Sequence, residues 1–194
     1  MPGQAPVLTD ERELLLAYLA QQRDGIRYAA HGLTEAQARL TPAASSLSIG
    51  GLLKHVAPME RGWIDLVLQR QHPTSPSEAA AHYEEGFRLL PHETLADALA
   101  DYARVARDTE AVVRAIPDLN QAVPVPKGVP WFPADVEAWT VRWVLLHLIE
   151  ETARHAGHAD IIRESIDGAT MYALMAAAEG WPATDWLQPW TPAE

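Results

Sequence analysis

Apolar residues recur every three or four positions along four long stretches of this chain, and prolines or small polar residues interrupt the pattern between them. No run alternates with the period of two expected of a strand, so the chain reads as all-α. Thr9 or Asp10 caps a first helix that carries Leu14, Leu15, Tyr18, Leu19, Gln22, Ile26 and Ala29 and ends by Gly32. Thr34 and Gln37 stand at capping-box spacing over a short turn, and Ser48 caps a second helix from Ile49 to about Arg70. A short helix is predicted around Glu78 to Leu89. Thr94 with Asp97 opens the third long helix, in which Leu95, Leu99, Tyr102, Val105, Ala106, Val112 and Ile116 keep helical spacing until Pro117. Pro117, Pro124, Pro126, Pro130 and Pro133 make the next stretch irregular, a crossing loop of the kind that often carries function. Thr140 caps a fourth helix to about Ile166, closed by Asp167 and Gly168, with Val141, Val144, Leu145, Leu148, Ile149, Thr152 and Ile162 facing the core. A last short helix, Tyr172 to Glu179, precedes a tail holding Trp181, Trp186 and Trp190. The prediction is a single domain of 194 residues: a four-helix bundle over about 9–168 with long crossover connections, and a Trp-rich extension over 169–194.

Composition narrows the partners. Hydrophobic residues make up 48% of the chain, enough to bury a core without disulfides or a structural metal. The formal net charge of -11 repels phosphate backbones and anionic membrane surfaces, so neither nucleic acid nor membrane is an expected partner. No basic region followed by an apolar run opens the chain, and no apolar stretch reaches the roughly 20 residues of a membrane span; a cytoplasmic protein is expected. The chain has no cysteine, which leaves His, Asp and Glu as metal ligands and requires any reacting thiol to come from outside. Hydrophobic bundle faces permit a homodimer.

In the fourth helix His147, Glu151, His155 and His158 share a stripe roughly 80° wide at about 100° per residue. A Glu-x-x-x-His pair places two side chains about 5–6 Å apart, close enough to grip one ion, and a further ligand must come from a neighbouring helix. The second helix offers His55 in LLKHVAPMERGW. Taken alone, His55 is more readily an ordinary hydrogen-bonded helix residue than a ligand, the Glu151/His155 pair reads as readily one way as the other, and His147 and His158 read as supporting or surface residues. Glu150 is rejected, because it points about 100° away from Glu151. Pro58, three residues after His55, is expected to kink the second helix near that candidate ligand.

The segments SIGGLLKHVAPMERGW and WTVRWVLLHLIEETARHAGHADIIRESIDGAT resemble the DinB-like metalloprotein superfamily, in its actinobacterial branch of mycothiol-dependent enzymes, from the first helix to Gly168. Many members carry a His on the second helix and a His-x-x-x-His pair on the last; here Glu151 stands where the first His of that pair is expected. Mycothiol-dependent maleylpyruvate isomerase is similar, with a His, Glu, His zinc set in the same order. The resemblance thus implies His55, Glu151 and His155 as ligands of a divalent metal, Zn²⁺ first, with Ni²⁺, Fe²⁺ or Mn²⁺ acceptable to the same donors. It implies a transferase in which a metal-bound thiolate, that of mycothiol, attacks an electrophilic substrate. His147, His158, Arg154, Asp160 and Arg163 are candidates to support the ligands or contact substrate, with Arg23, Asp24 and Arg27 on the first helix as weaker ones. Trp63, Trp139 and Trp143 are candidate pocket walls, although Trp at helical spacing is more often core. The competing expectations are a non-catalytic metal-binding stress-response protein, an isomerase of the maleylpyruvate type, and an iron site like that of sulfoxide synthases.

Overall fold

The computed structural model describes residues 3–70 and 85–192. Among these, four long helices make the bundle: α1 (Glu11–Ala29), α3 (Ile49–Val67), α4 (Leu95–Ala115) and α5 (Val141–Asp167), with a single turn α2 (Glu35–Ala38) and a short α6 (Met171–Glu179). The predicted helix at Glu78 to Leu89 falls mostly outside the described residues.

Each start follows from its cap. The side chains of Asp10, Ser48, Thr94 and Thr140 accept from the backbone N–H three residues on, and Thr34 with Gln37 completes a capping box. α5 ends at Gly168, whose φ of 76° is the left-handed conformation that residues with a Cβ avoid. α3 runs unbroken through Pro58, which lies on its exposed side.

α1 packs along α5, and α3 packs against both α4 and α5. The phase of α1 differs from the prediction: Leu16 is buried and Tyr18 is exposed. The α1 face turned inward also carries Arg23 and Asp24. Arg23 forms a buried pair with Glu60 of α3 at 2.6 Å and reaches Glu110 of α4 at 3.4 Å. A charge in the core is tolerated there because its partner is buried with it.

The proline-rich stretch is more ordered than expected. β1 (Ala122–Pro124) pairs antiparallel with β2 (Ala138–Thr140), with Val123 opposite Trp139, and both of these side chains are buried. Three residues are too few to print an alternating pattern, which is why the strands escape a periodicity reading. The connection also serves α5: Arg142 N donates to Leu119 O and Val141 N to Gln121 O, satisfying donors that a helix start leaves unpaired.

The Trp-rich tail folds back on the bundle end. Trp190 N donates to Ala173 O, and its ring lies 4.7 Å from the Arg163 guanidinium carbon. A Cβ on Gly32, at φ 70°, would lie 2.5 Å from the Trp190 ring, so this glycine serves both the turn and the tail.

Candidate metal centre

His55 faces inward from α3, where Leu52, Leu53, Val56 and Ala57 bury the same side of the helix. Glu151 and His155 stand one turn apart on α5, among Leu148, Thr152 and Ala156. The α3–α5 contact brings the three together: one ligand atom from each lies within 4.8 Å of the others, and His55 Nε2 is 3.8 Å from Glu151 Oε1. The imidazoles of His55 and His155 meet edge to face at 4.9 Å. No other group of three or more His, Cys, Asp or Glu side chains with this geometry occurs among the described residues.

The protonation states suit a cation. Burial alone would raise the Glu151 carboxyl, but hydrogen bonding and charge from His147 and His55 outweigh it and hold it down at about 2. Burial, with the neighbouring His55 charge, pushes His155 down to about 4, so its imidazole is neutral at neutral pH. The buried His155 Nδ1 has no hydrogen-bond partner within the protein, an unmet demand that an ion or its water can satisfy. Two imidazoles and one carboxylate, with no thiolate, form a donor set that divalent transition metals accept with a coordination position to spare. The residues present therefore fit the group.

The other predicted residues divide by position. His147 Nε2 lies 3.1 Å from Glu151 Oε2, and hydrogen bonding to Glu151 raises the His147 pKa although burial opposes it. Its ring is stacked on Trp143 at 5.2 Å and meets the edge of Trp63 at 4.5 Å. Trp143 is stacked in turn on Trp139 at 4.9 Å, and Phe132 of the proline-rich connection completes this aromatic group. Trp139 is buried, Trp63 and Phe132 are half-buried, and Trp143 is the exposed member.

His158 lies 5.7 Å from His155, ring to ring, with a buried Nδ1 that has no partner within the protein. Asp160 is half-buried, and burial followed by the charge of Glu164 pushes its carboxyl up to about 6. Arg154 is exposed and pairs with Glu150. Arg163 is engaged elsewhere, fully buried at the tail end of the bundle. Asp24 and Arg27 pair at 2.6 Å and line a groove of about 840 Å³ with Tyr28, His31, Leu99 and Glu179; none of the three candidate ligands lines it.

A sequence profile described as Mycothiol-S-transferase matches residues 14–168. The chain belongs to the mycothiol S-transferase family. The matched span runs from the first turn of α1 to the end of α5 and includes all three members of the cluster. In fold, this family member is similar to a conserved protein from Enterococcus faecalis, with a TM-score of 0.63 at 19% identity over 84% of this chain and 100% of that one. No curated protein matches the sequence.

The pH response of the metal-free protein follows from His155. Between about pH 6.5 and 4 the unfolded chain binds a proton there that the folded chain refuses, so stability falls as the pH drops through this window. Asp160 acts with the opposite sign: from its ordinary value near 3.8 up to about 6 the folded chain keeps a proton the unfolded one has released. The expected result is that His155→Gln removes on the order of 1 kcal/mol of pH-dependent stability between pH 6.5 and 4, a figure reduced for partial exposure. Urea unfolding at several pH values in the presence of a chelator measures it, and an unchanged pH slope in the variant contradicts the assignment.

Proposed function

We propose that the protein binds one divalent cation, zinc by preference, through His55, Glu151 and His155, and joins mycothiol through its sulfur to an electrophilic carbon, the thiol proton and the electrophile's leaving group passing to solvent. The observation that carries this reading is the convergence of the three donors from α3 and α5 inside the span matched by the mycothiol S-transferase family. The chemistry a divalent cation supplies at such a site is deprotonation of a thiol whose pKa in water is about 8.5.

The chain's own residues prepare that chemistry. Glu151 remains ionised and the neutral His155 offers a lone pair, so neither must lose a proton at neutral pH before it can bind. His147 orients the Glu151 carboxylate, while Trp143 and Trp63 fix the His147 ring in turn. The exposed Trp143, stacked on His147, offers an apolar surface for an electrophile. His158, whose buried Nδ1 lacks a partner and whose ring lies 5.7 Å from that of His155, is placed to exchange a hydrogen bond with the polar thiol. Because the chain has no cysteine, the reacting sulfur cannot be its own.

The test is conjugation of mycothiol to a fluorogenic alkylating agent by the metal-loaded protein. Conjugation well above the protein-free rate, lost when the metal is stripped and restored with zinc, supports the proposal. Stoichiometric metal uptake with no acceleration for mycothiol or any other small thiol contradicts it and favours a non-catalytic metal-binding role.

A further inference from the structure

The short segment 86–93 lies against the first turns of α3. A Cβ on Gly51 would lie 1.9 Å from the Phe87 carbonyl oxygen, and one on Gly50 would lie 2.4 Å from Leu89 Cδ1. Gly51 is what lets the two backbones approach so closely, while Gly50 leaves room for the Leu89 side chain. Polar contacts fasten the segment: Lys54 Nζ donates to Arg88 O at 3.1 Å and to Glu93 Oε2 at 2.8 Å. The Arg39 guanidinium donates to Leu89 O at 2.6 Å and to Glu93 O at 2.5 Å. The ring delivered by this strap is Phe87, stacked on the His55 imidazole at 3.9 Å with 19° between planes, and 6.1 Å from the ring of His155.

We infer that Phe87 is a positioning residue for the metal centre: its ring, held by the strap on the Gly50–Gly51 step, fixes the His55 imidazole in the orientation that meets Glu151 and His155. This rests on the metal-site reading above. An imidazole with a free χ2 must give up rotational freedom to bind an ion, whereas a ring already stacked in place has given it up on folding. The cluster is thereby held at both ends, by Phe87 beside His55 and by His147 beside Glu151.

The experiment compares Phe87→Ala, Phe87→Leu and Phe87→Tyr with the parent protein, full length, by chelator competition for zinc and by NMR of the His55 ring protons in the metal-free state. Thermal unfolding of the metal-free forms checks the fold, and Phe87→Leu keeps apolar bulk should the alanine variant unfold. The expected result is a zinc affinity about 10–100-fold lower for Phe87→Ala and Phe87→Leu, and close to the parent's for Phe87→Tyr. The ring-current shift of the His55 protons should vanish in the first two and persist in the third. Zinc affinity within about threefold of the parent's in folded Phe87→Ala overturns the inference. If the parent takes up no metal, the metal-site reading fails by itself. The clamp is then judged on the NMR signature, with an unshifted His55 in the parent overturning it.

Discussion

Glu151→Ala is expected to abolish stoichiometric uptake of a divalent cation while leaving the bundle folded. Glu151 is the single anionic donor of the cluster, and its carboxylate stays charged down to about pH 2. Its loss removes one of three donors and the acceptor that His147 faces at 3.1 Å. Two imidazoles alone, contributed by different helices, hold a divalent ion without charge neutralisation. The affinity loss should therefore exceed the roughly 10–100-fold typical of removing a supporting residue. Folding should survive because the core that joins α3 to α5, including Leu52, Leu53, Val56 and Leu148, is apolar and does not depend on the ion. Chelator competition with zinc, alongside circular dichroism, measures both expectations. Retention of one tightly bound zinc by the folded variant would sink the three-donor assignment. Mycothiol conjugation should disappear with the metal, and Glu151→Gln, similar in size but uncharged, should show a comparable loss.

Arg163→Ala should cost about 3–5 kcal/mol, the largest stability effect of any single substitution considered for this protein. Arg163 is fully buried although it lies on the same helix as the candidate ligands, and its guanidinium closes three structures at once. It donates to Ala29 O at 2.8 Å and His31 O at 2.6 Å, carbonyls that the end of α1 would otherwise leave without partners. It also pairs with Asp167 at 2.9 Å and carries the Trp190 ring on its face. Truncation leaves two buried carbonyls and a carboxylate short of donors and frees the tail. Arg163→Lys should recover only part of the loss, since an ammonium cannot fork between the carbonyls and the carboxylate as a guanidinium does. Urea denaturation provides the measurement. A change below about 1 kcal/mol for Arg163→Ala would contradict the account. Zinc affinity should change much less than for Glu151→Ala, which separates a role in folding from one in the metal centre.

Much of the fold was legible because its signals are local. Asp10, Thr34, Ser48, Thr94, Thr140 and Gly168 mark helix ends through hydrogen bonds and φ angles spanning only a few residues. The stripe of His147, Glu151, His155 and His158 is likewise a matter of spacing on one helix. Phe87 carried no such signal, since it fell near the end of the short helix expected around Glu78 to Leu89 and nothing there pointed to His55; Gly51 was a hint that another backbone approaches α3. Phe132 was equally hidden, since its place beside Trp63 and Trp139 depends on the path of a proline-rich connection. Arg163 illustrates the reverse case. Its place on α5 suggested a supporting or substrate-binding role, yet its contacts are with the end of α1 and the tail.

By itself the amino-acid sequence determined the all-α class, the positions of four long helices, the reliance on nitrogen and oxygen donors, and the pairing of Glu151 with His155. These follow from interactions within one or two helical turns and from which side chains the chain possesses at all. Tertiary structure decided that α3 lies beside α5 so that His55 comes within reach of that pair, that Phe87 and His147 brace opposite ends of the cluster, and that Trp190 returns to Arg163. Such contacts join residues far apart in the chain, and they form only where burial of the shared apolar faces offsets the entropy of closing the loops between them.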